Sequence, residues 1–288
     1  MELIQKQCLY GTFVLFNNDI ICHMMLNVGY FAKFEIEFFR SFLKENDNVI
    51  EIGAFIGTHA IPIKQMIKNG KLICFEPQQH IFKILCTNLI LNNCADVIAL
   101  PYGIGIEKVI QTNLCLKDVS RFSLLKNSSN NPEKNSIISV KSIKNFSDFY
   151  NTFNHLKLIK IDVEGMDLEV LNDIRDLIIH FRPFIFIEYE ENTIEKIKKF
   201  FDDLNYDCFY FNTSLYQYYP PNTILKVDKY NESMQIDDIR IKNFGDYNLF
   251  IIPKEISKKP NLISANIIKM LDAKKIDKLE DIDLHWFD

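Results

Sequence analysis

Five acidic side chains stand at or just beyond the ends of short apolar runs: Glu51 in VIEIGAFIGTH, Glu76 in CFEPQ, Asp162 and Glu164 in KIDVEG, and Glu188 in FIFIE. An ionised carboxylate only accepts hydrogen bonds, so at a strand end it suits a diol, a cation, or a hydroxyl that must lose its proton. After Glu51 come Gly53, Ala54, Phe55, Ile56, Gly57 and Thr58. Glycines in such a turn let the backbone adopt conformations closed to other residues and let a ligand approach it closely. The turn is one glycine short of GxGxxG, the pattern whose helix N-terminus receives a pyrophosphate. An acid immediately before the turn repels a pyrophosphate and suits a ligand with a cationic amino group.

The elements that must position these acids can be read from periodicity. VIEI is short, β-branched and bounded by glycine, which predicts a buried strand, and THAIPIKQMIK predicts a helix. The alternation then continues as strand 49–52, helix 58–68, strand 71–75, helix 79–91, strand 96–100, strand 156–161, helix 167–179, strand 184–188 and helix 193–203. This predicts a doubly wound, Rossmann-like α/β sheet with helices on both faces and ligands at the carboxyl ends of its strands. YDCFYF (206–211) and NLFIIP (248–253) have no convincing helix between them and are expected as an antiparallel edge pair. Upstream, residues 9–31 contain two extended runs around Asn17, Asn18 and Asp19, a turn signal, and read as a hairpin followed by a helix at 33–44. The segments 101–155, with its polar stretch 114–136, and 212–247 read as irregular; long loops of this kind commonly line binding sites. The expected organisation is an N-terminal hairpin and helix that cap the substrate (1–45), a central domain (46–255), and a tail (256–288) with a short helix at 261–271.

In that frame Glu76 ends the second strand, where a carboxylate can accept from both hydroxyls of a ribose. S-adenosylmethionine offers an adenosine, an ammonium group and a sulfonium, with no phosphate. It satisfies both acids, with Glu51 toward its methionine end directly or through water. The cofactor set expected is Glu51, Gly53, Ala54, Phe55, Gly57, Thr58, Glu76, Pro77, Tyr102 and Asp162.

The 288 residues carry a net charge of −5 at a pI of about 5.7, which gives no electrostatic reason to bind nucleic acid or an anionic membrane. Seven cysteines are scattered without a CxxC, as expected of free thiols in a reducing compartment, and a cytoplasmic location follows. No signal peptide and no bilayer-spanning apolar run is expected.

Several of these motifs occur together in a known family. ExGxxxG, FEPQQHIFKILCTNLILNN, LIKIDVEGMDLEVL (158–171) and RPFIFIEYE (182–190) resemble the FkbM family of S-adenosylmethionine-dependent methyltransferases, over residues 9 to 255. The resemblance implies a class I methyltransferase sheet of seven strands with the last antiparallel. It also implies methyl transfer to the hydroxyl of a sugar, glycan or other small molecule. Two departures stand out. The family turn usually reads GANxG, and Phe55 replaces its asparagine; the acid often found after the third strand is absent from LPYGIG (100–105), leaving Tyr102 or Gly103 beside an adenine.

For the chemistry, a neutral hydroxyl needs a base, and Asp162, Glu164 and Glu188 are the candidates, with His59 behind them and Asp162 first. Asp162 and Glu188 could equally hold Mg²⁺ and acidify a diol; the residues leave both open. Plainer roles exist: Glu164 charging the helix that starts at Asp167, Glu188 as a solvated strand end, His59 in a structural position. Tyr216, Tyr218 and Tyr219 either stack on a sugar or cover the sheet edge. Two further functions compete. One is an S-adenosylmethionine-binding protein without catalysis, kept open by Phe55. The other is an NAD-dependent oxidoreductase, opposed by the missing glycine and Glu51.

Overall fold

The computed structural model describes residues 2–17, 19–113, 135–189, 192–214 and 245–257. The chain opens with an antiparallel hairpin, β1 (Leu3–Cys8) and β2 (Gly11–Phe16), followed by α1 (Ile20–Val28) and α2 (Lys33–Arg40). The hairpin expected around Asn17, Asn18 and Asp19 is therefore displaced. The chain reverses at Leu9 and Tyr10, and Asp19 caps a helix instead, its carboxylate accepting from the N–H groups of Ile21 (2.9 Å) and Cys22 (3.1 Å). Aspartate serves both turns and helix N-caps. Here the apolar run after it closes on a left-handed Gly29 whose N–H reaches the Met25 carbonyl, a helix stop that the two-run reading overlooked.

The central region comprises β3 (Val49–Ile52), α3 (Ala60–Met66), β4 (Leu72–Phe75), α4 (Gln79–Leu91) and β5 (Ile98–Leu100). There follow β6 (Gly103–Ile104), β7 (Lys108–Asn113), β8 (Asn135–Lys141), α5 (Ser147–Tyr150), β9 (Leu158–Ile161), α6 (Asp167–Asp173) and α7 (Arg175–Phe181). The chain then runs through β10 (Phe184–Glu188), α8 (Ile194–Asp203), β11 (Tyr206–Ser214), β12 (Gly245–Pro253) and α9 (Lys254–Ser257). Seven strands form the main sheet in the order β11-β12-β10-β9-β3-β4-β5, and β12 runs antiparallel to both of its neighbours. This is the α/β sheet expected, with its last strand reversed.

Two segments differ from expectation. The region read as irregular holds a second sheet, β6-β8-β7, whose exposed positions include Val109 and Ile137, so that no clean apolar–polar alternation marks it. The single helix expected at 167–179 is divided at Ile174 into α6 and α7. Residues 114–134, 215–244 and the tail from 258, with the three tyrosines and the helix expected at 261–271, lie outside the described residues.

The central strands β3, β4 and β9 are buried along their whole length, as strands covered on both faces must be. Alternate residues serve two cores. Val49, Leu72, Leu158, Phe184 and Phe186 share one apolar cluster with α1–α4 and the hairpin. Ile50, Ile73, Ile159 and Ile185 share the other with α6, α7 and α8. Helix α2 locks onto the first face through Phe38, whose ring lies 4.7 Å from Phe250, and Phe39, 4.9 Å from Phe186. Burying each such side chain is worth about 1.5–3 kcal/mol. This docking brings the N-terminal segment up to the carboxyl edge of the sheet, where Glu35 of α2 meets His59.

Candidate functional site

At Ile52 the chain leaves β3 and turns at once into α3. The turn uses left-handed backbone at Gly53 (φ 89°), Phe55 (φ 47°) and Gly57 (φ 91°). Gly53 admits no replacement, because a Cβ there would lie 1.7 Å from the Asp162 carbonyl oxygen where the turn crosses the end of β9. The N–H groups of Gly53 and Ala54 both donate to the Phe75 carbonyl at 2.9 Å, and that of Gly57 to the Ala54 carbonyl at 2.9 Å. A left-handed residue other than glycine costs about 1–2 kcal/mol, less for asparagine. Phe55 is supported in two ways. Its N–H donates to Glu76 Oε2 at 3.0 Å, and its ring meets Phe16 of β2 edge-on with centroids 6.1 Å apart. The phenylalanine that departs from GANxG is thus tied to the N-terminal hairpin.

Glu76 follows β4 and is 4% exposed. Besides Phe55 it accepts from the Gln78 N–H, through Oε1 at 2.8 Å. It therefore braces two turns together. Burial pushes its carboxyl up to about 8, against the pull of those two N–H groups. When ionised, each oxygen has a second acceptor position; when protonated, one oxygen also donates. Thr58 is buried in the same turn and Pro77 is half-buried beside Glu76. Tyr102 follows β5 and packs its ring 5.5 Å from that of Phe146. These residues, with Asp162 after β9 and Glu188 ending β10, gather at the carboxyl edge of the sheet. There β3 has β4 on one side and β9 on the other, the reversal of strand order at which open α/β sheets bind ligands.

Beneath the turn lies a buried ionic cluster. Parallel register sets Glu51 opposite Lys160 on one side and Cys74 on the other. Glu51 and Lys160 are 1% and 2% exposed. Lys160 Nζ donates to Asp162 Oδ2 at 3.0 Å, and Cys74 Sγ to Glu51 Oε2 at 3.7 Å. Burial pushes the Glu51 carboxyl up to about 7; Lys160 opposes this and Asp162 adds to it. Burial works against the Lys160 ammonium too, but the carboxylates of Asp162, Glu51 and Glu35 outweigh it and hold Lys160 charged. The Asp162 side chain is 37% exposed. Partial burial tends to raise its carboxyl, yet Lys160 and a hydrogen bond with Glu188 keep it below the ordinary carboxylate range. Glu35 enters from α2, with Oε2 2.8 Å from His59 Nε2 and Oε1 accepting from Asn248 Nδ2 at 3.1 Å. Burial, reinforced by Lys160, keeps the His59 imidazole neutral. A neutral ring facing a carboxylate carries its proton on Nε2. Three carboxylates thus surround one ammonium, so full ionisation of all three leaves the cluster with an excess of negative charge.

The structure brings together the turn, Glu51, Glu76, Asp162 and Glu188. Glu164 sits in the β9–α6 turn with a left-handed backbone (φ 48°), outside the first turn of α6, whose acids are Asp167 and Glu169. Sequence reasoning missed Lys160, Glu35 and Asn248. Two signals were present: Lys160 interrupts the core run LKLIKI, and Glu35 lies three and four positions before the core residues Phe38 and Phe39. Among the described residues no group of three or more His, Cys, Asp or Glu is arranged to hold a metal, and no helix is long and apolar enough to cross a membrane.

Residues 51–208 match the sequence profile of the methyltransferase FkbM domain. Among solved structures, a methyltransferase FkbM from Methylobacillus flagellatus KT is similar at 18% identity and a TM-score of 0.42, over 58% of this chain and 40% of that one. The present chain therefore spans less than half of that relative. An O-methyltransferase from Bacillus cereus in complex with SAH is similar at 11% identity and a TM-score of 0.42, over 77% of this chain and 78% of that one. No curated protein matches the sequence.

Proposed function

Because the chain belongs to the FkbM methyltransferase family, we propose that it transfers a methyl group from S-adenosylmethionine to a hydroxyl of a sugar, glycan or other small molecule. The observation that carries this reading is the buried excess of carboxylate at the switch point of the sheet, under a glycine turn that leads into no phosphate-binding pattern. A cationic ligand relieves such an excess, and a pyrophosphate aggravates it.

When bound, S-adenosylmethionine supplies a methyl group already activated by its sulfonium. The chain's part is to hold and align. Glu76 hydrogen-bonds the ribose hydroxyls, and the backbone from Gly53 to Thr58 lies against the cofactor. Pro77 and Tyr102 flank the adenine. Glu51 and Asp162 offset the positive charge of the methionine end. Alignment of two reactants is the larger contribution to such a displacement. As its bond to the methyl group forms, the acceptor oxygen becomes strongly acidic, so a carboxylate held below the ordinary range still suffices to take its proton. Asp162 is ionised at neutral pH, partly open to solvent, and oriented by Lys160. It is the proposed base, with Glu188 as its hydrogen-bonded partner. Glu164 is a secondary candidate. Since Asp162 already has Lys160 and Glu188 as partners, turnover is expected to persist in EDTA, against the magnesium reading.

The proposed acceptor is small, the proposed setting cytoplasmic, and nucleic acid is not expected at a net charge of −5. The test is production of the demethylated cofactor from S-adenosylmethionine across a panel of sugar and small-molecule hydroxyl acceptors. Methyl transfer to one of them supports the proposal. Binding without turnover on any acceptor favours a non-catalytic binding protein, and binding of NADH in its place overturns the reading.

A further inference from the structure

We propose that Asn88 of α4 is a positioning residue for the cofactor turn, and that through it the N-terminal hairpin sets the shape of that turn. Among the described residues, β2 pairs with β1 along one edge only. Its other edge faces α4, and two asparagines there take the place of a strand. Asn92 Oδ1 accepts from the Thr12 N–H at 2.8 Å while its Nδ2 donates to the Thr12 carbonyl at 2.7 Å. One turn earlier, Asn88 Oδ1 accepts from the Val14 N–H at 2.6 Å and its Nδ2 donates to the Val14 carbonyl at 3.3 Å. The spacings agree: four helical residues advance about 6 Å, and two strand residues about 6.6 Å. Each side-chain amide reproduces the paired exchange that a neighbouring strand would make.

Of the two, Asn88 is the one that reaches the turn. Its Nδ2 also donates to the carbonyl of Ile56 at 2.9 Å, inside the cofactor turn. The adjoining residue is the left-handed Phe55, whose N–H is held by Glu76. The strained Phe55–Ile56 segment is thus clamped at both ends, by Glu76 at the Phe55 N–H and by Asn88 at the Ile56 carbonyl. Asn88 is fully buried, so none of its three side-chain bonds is replaced by water when broken. The contact of Phe16 with Phe55 is a second link from β2 to the same segment. That the turn's ligand is S-adenosylmethionine rests on the function proposed above; the mechanical link does not.

Asn92 supplies a matched control, with the same chemistry on the same helix face and strand edge; its remaining Nδ2 bond, at 2.7 Å, goes to the Asn88 carbonyl within α4 and not to the turn. Asn88→Asp and Asn92→Asp each keep the acceptor oxygen and the side-chain volume while losing the donor. Amide hydrogen exchange over residues 53–61 and calorimetric affinity for S-adenosylmethionine are measured for both and for the wild type. Asn88→Asp is expected to speed exchange in the turn and weaken cofactor affinity, each about tenfold, the effect of one typical net hydrogen bond. Asn92→Asp is expected to speed exchange in the hairpin and to leave turn exchange and cofactor affinity at wild-type levels. Equal effects of the two variants on the turn, or no effect of Asn88→Asp, overturn the proposal. Phe16→Leu, which weakens the second link without touching α4, provides the same readout if Asn88→Asp does not fold: faster turn exchange supports the coupling, and unchanged exchange refutes it. If the wild type binds no S-adenosylmethionine while turn exchange still separates the variants, the positioning role stands and the proposed cofactor falls.

Discussion

Replacing Glu76 by alanine removes two buried acceptors at once. The Phe55 and Gln78 N–H groups, now bonded at 3.0 and 2.8 Å, lose these acceptors beside a residue that was 4% exposed. A buried donor left unsatisfied costs about 1–3 kcal/mol, so the pair costs about 2–6 kcal/mol. That is a large share of the roughly 5–15 kcal/mol that keeps a domain folded. Glu76→Gln keeps one carbonyl oxygen, which can serve one of the two N–H groups while the new NH₂ faces the other; its cost is about half, or about 1–3 kcal/mol. Urea unfolding midpoints for the two variants and the wild type measure this directly, and calorimetry on the same samples reads cofactor affinity, which both substitutions should weaken. The pH dependence gives an independent check. Folding raises the carboxyl from 4.5 to about 8, so between those values the folded chain holds more protons than the unfolded one. The stability this proton brings is therefore complete below pH 4.5 and lost as pH rises through about 8. Glu76→Gln, which does not titrate, should flatten that fall. If Glu76→Ala shifts stability by less than about 0.5 kcal/mol, the range of an ordinary surface substitution, and leaves affinity unchanged, then Glu76 neither braces the turn nor touches the ligand.

Three further outcomes are expected. Glu51, raised by burial to about 7, should likewise make the unliganded protein less stable as pH rises from 5 to 8. Affinity for the cationic cofactor should rise over the same range, and Glu51→Gln should lessen both trends in melting and titration curves, leaving the part of the stability trend that belongs to Glu76. Lys160→Met leaves Glu51, Glu35 and Asp162 without their shared ammonium and should cost about 3–5 kcal/mol in urea unfolding; an unchanged midpoint would show that the cluster is not ionic. Asp162→Asn should lower turnover by about 10²–10⁴ while changing cofactor affinity far less, and an equal loss of both would assign Asp162 to binding alone.

The parts of the molecule legible in the sequence are those fixed by local backbone demands. VIEI, LICF, LIKI and FIFIE are β-branched, apolar and punctuated, and each is a strand of the main sheet. The glycine turn was legible because its conformation requires glycine, as the position of Gly53 against Asp162 shows. Asp19 was misread because its side chain suits a turn and a helix cap equally, and only the fate of the following residues separates them. Lys160 and Glu35 became parts of the site only once register and helix docking were known. The bond from Asn248 to Glu35 spans 213 residues, and that from Val14 to Asn88 spans 74. No local pattern encodes such a meeting; it is created by the packing of Phe38 and Phe39 on the sheet and of α4 on β2.

The most direct test of the central claim is a crystal structure of the protein soaked with the demethylated cofactor, S-adenosylhomocysteine. The ligand should lie against the backbone from Gly53 to Thr58, with its ribose hydroxyls on Glu76 and its amino group toward Glu51 and Asp162. Density for the ligand elsewhere, or none at all beside that turn under saturating conditions, would contradict the assignment of the site.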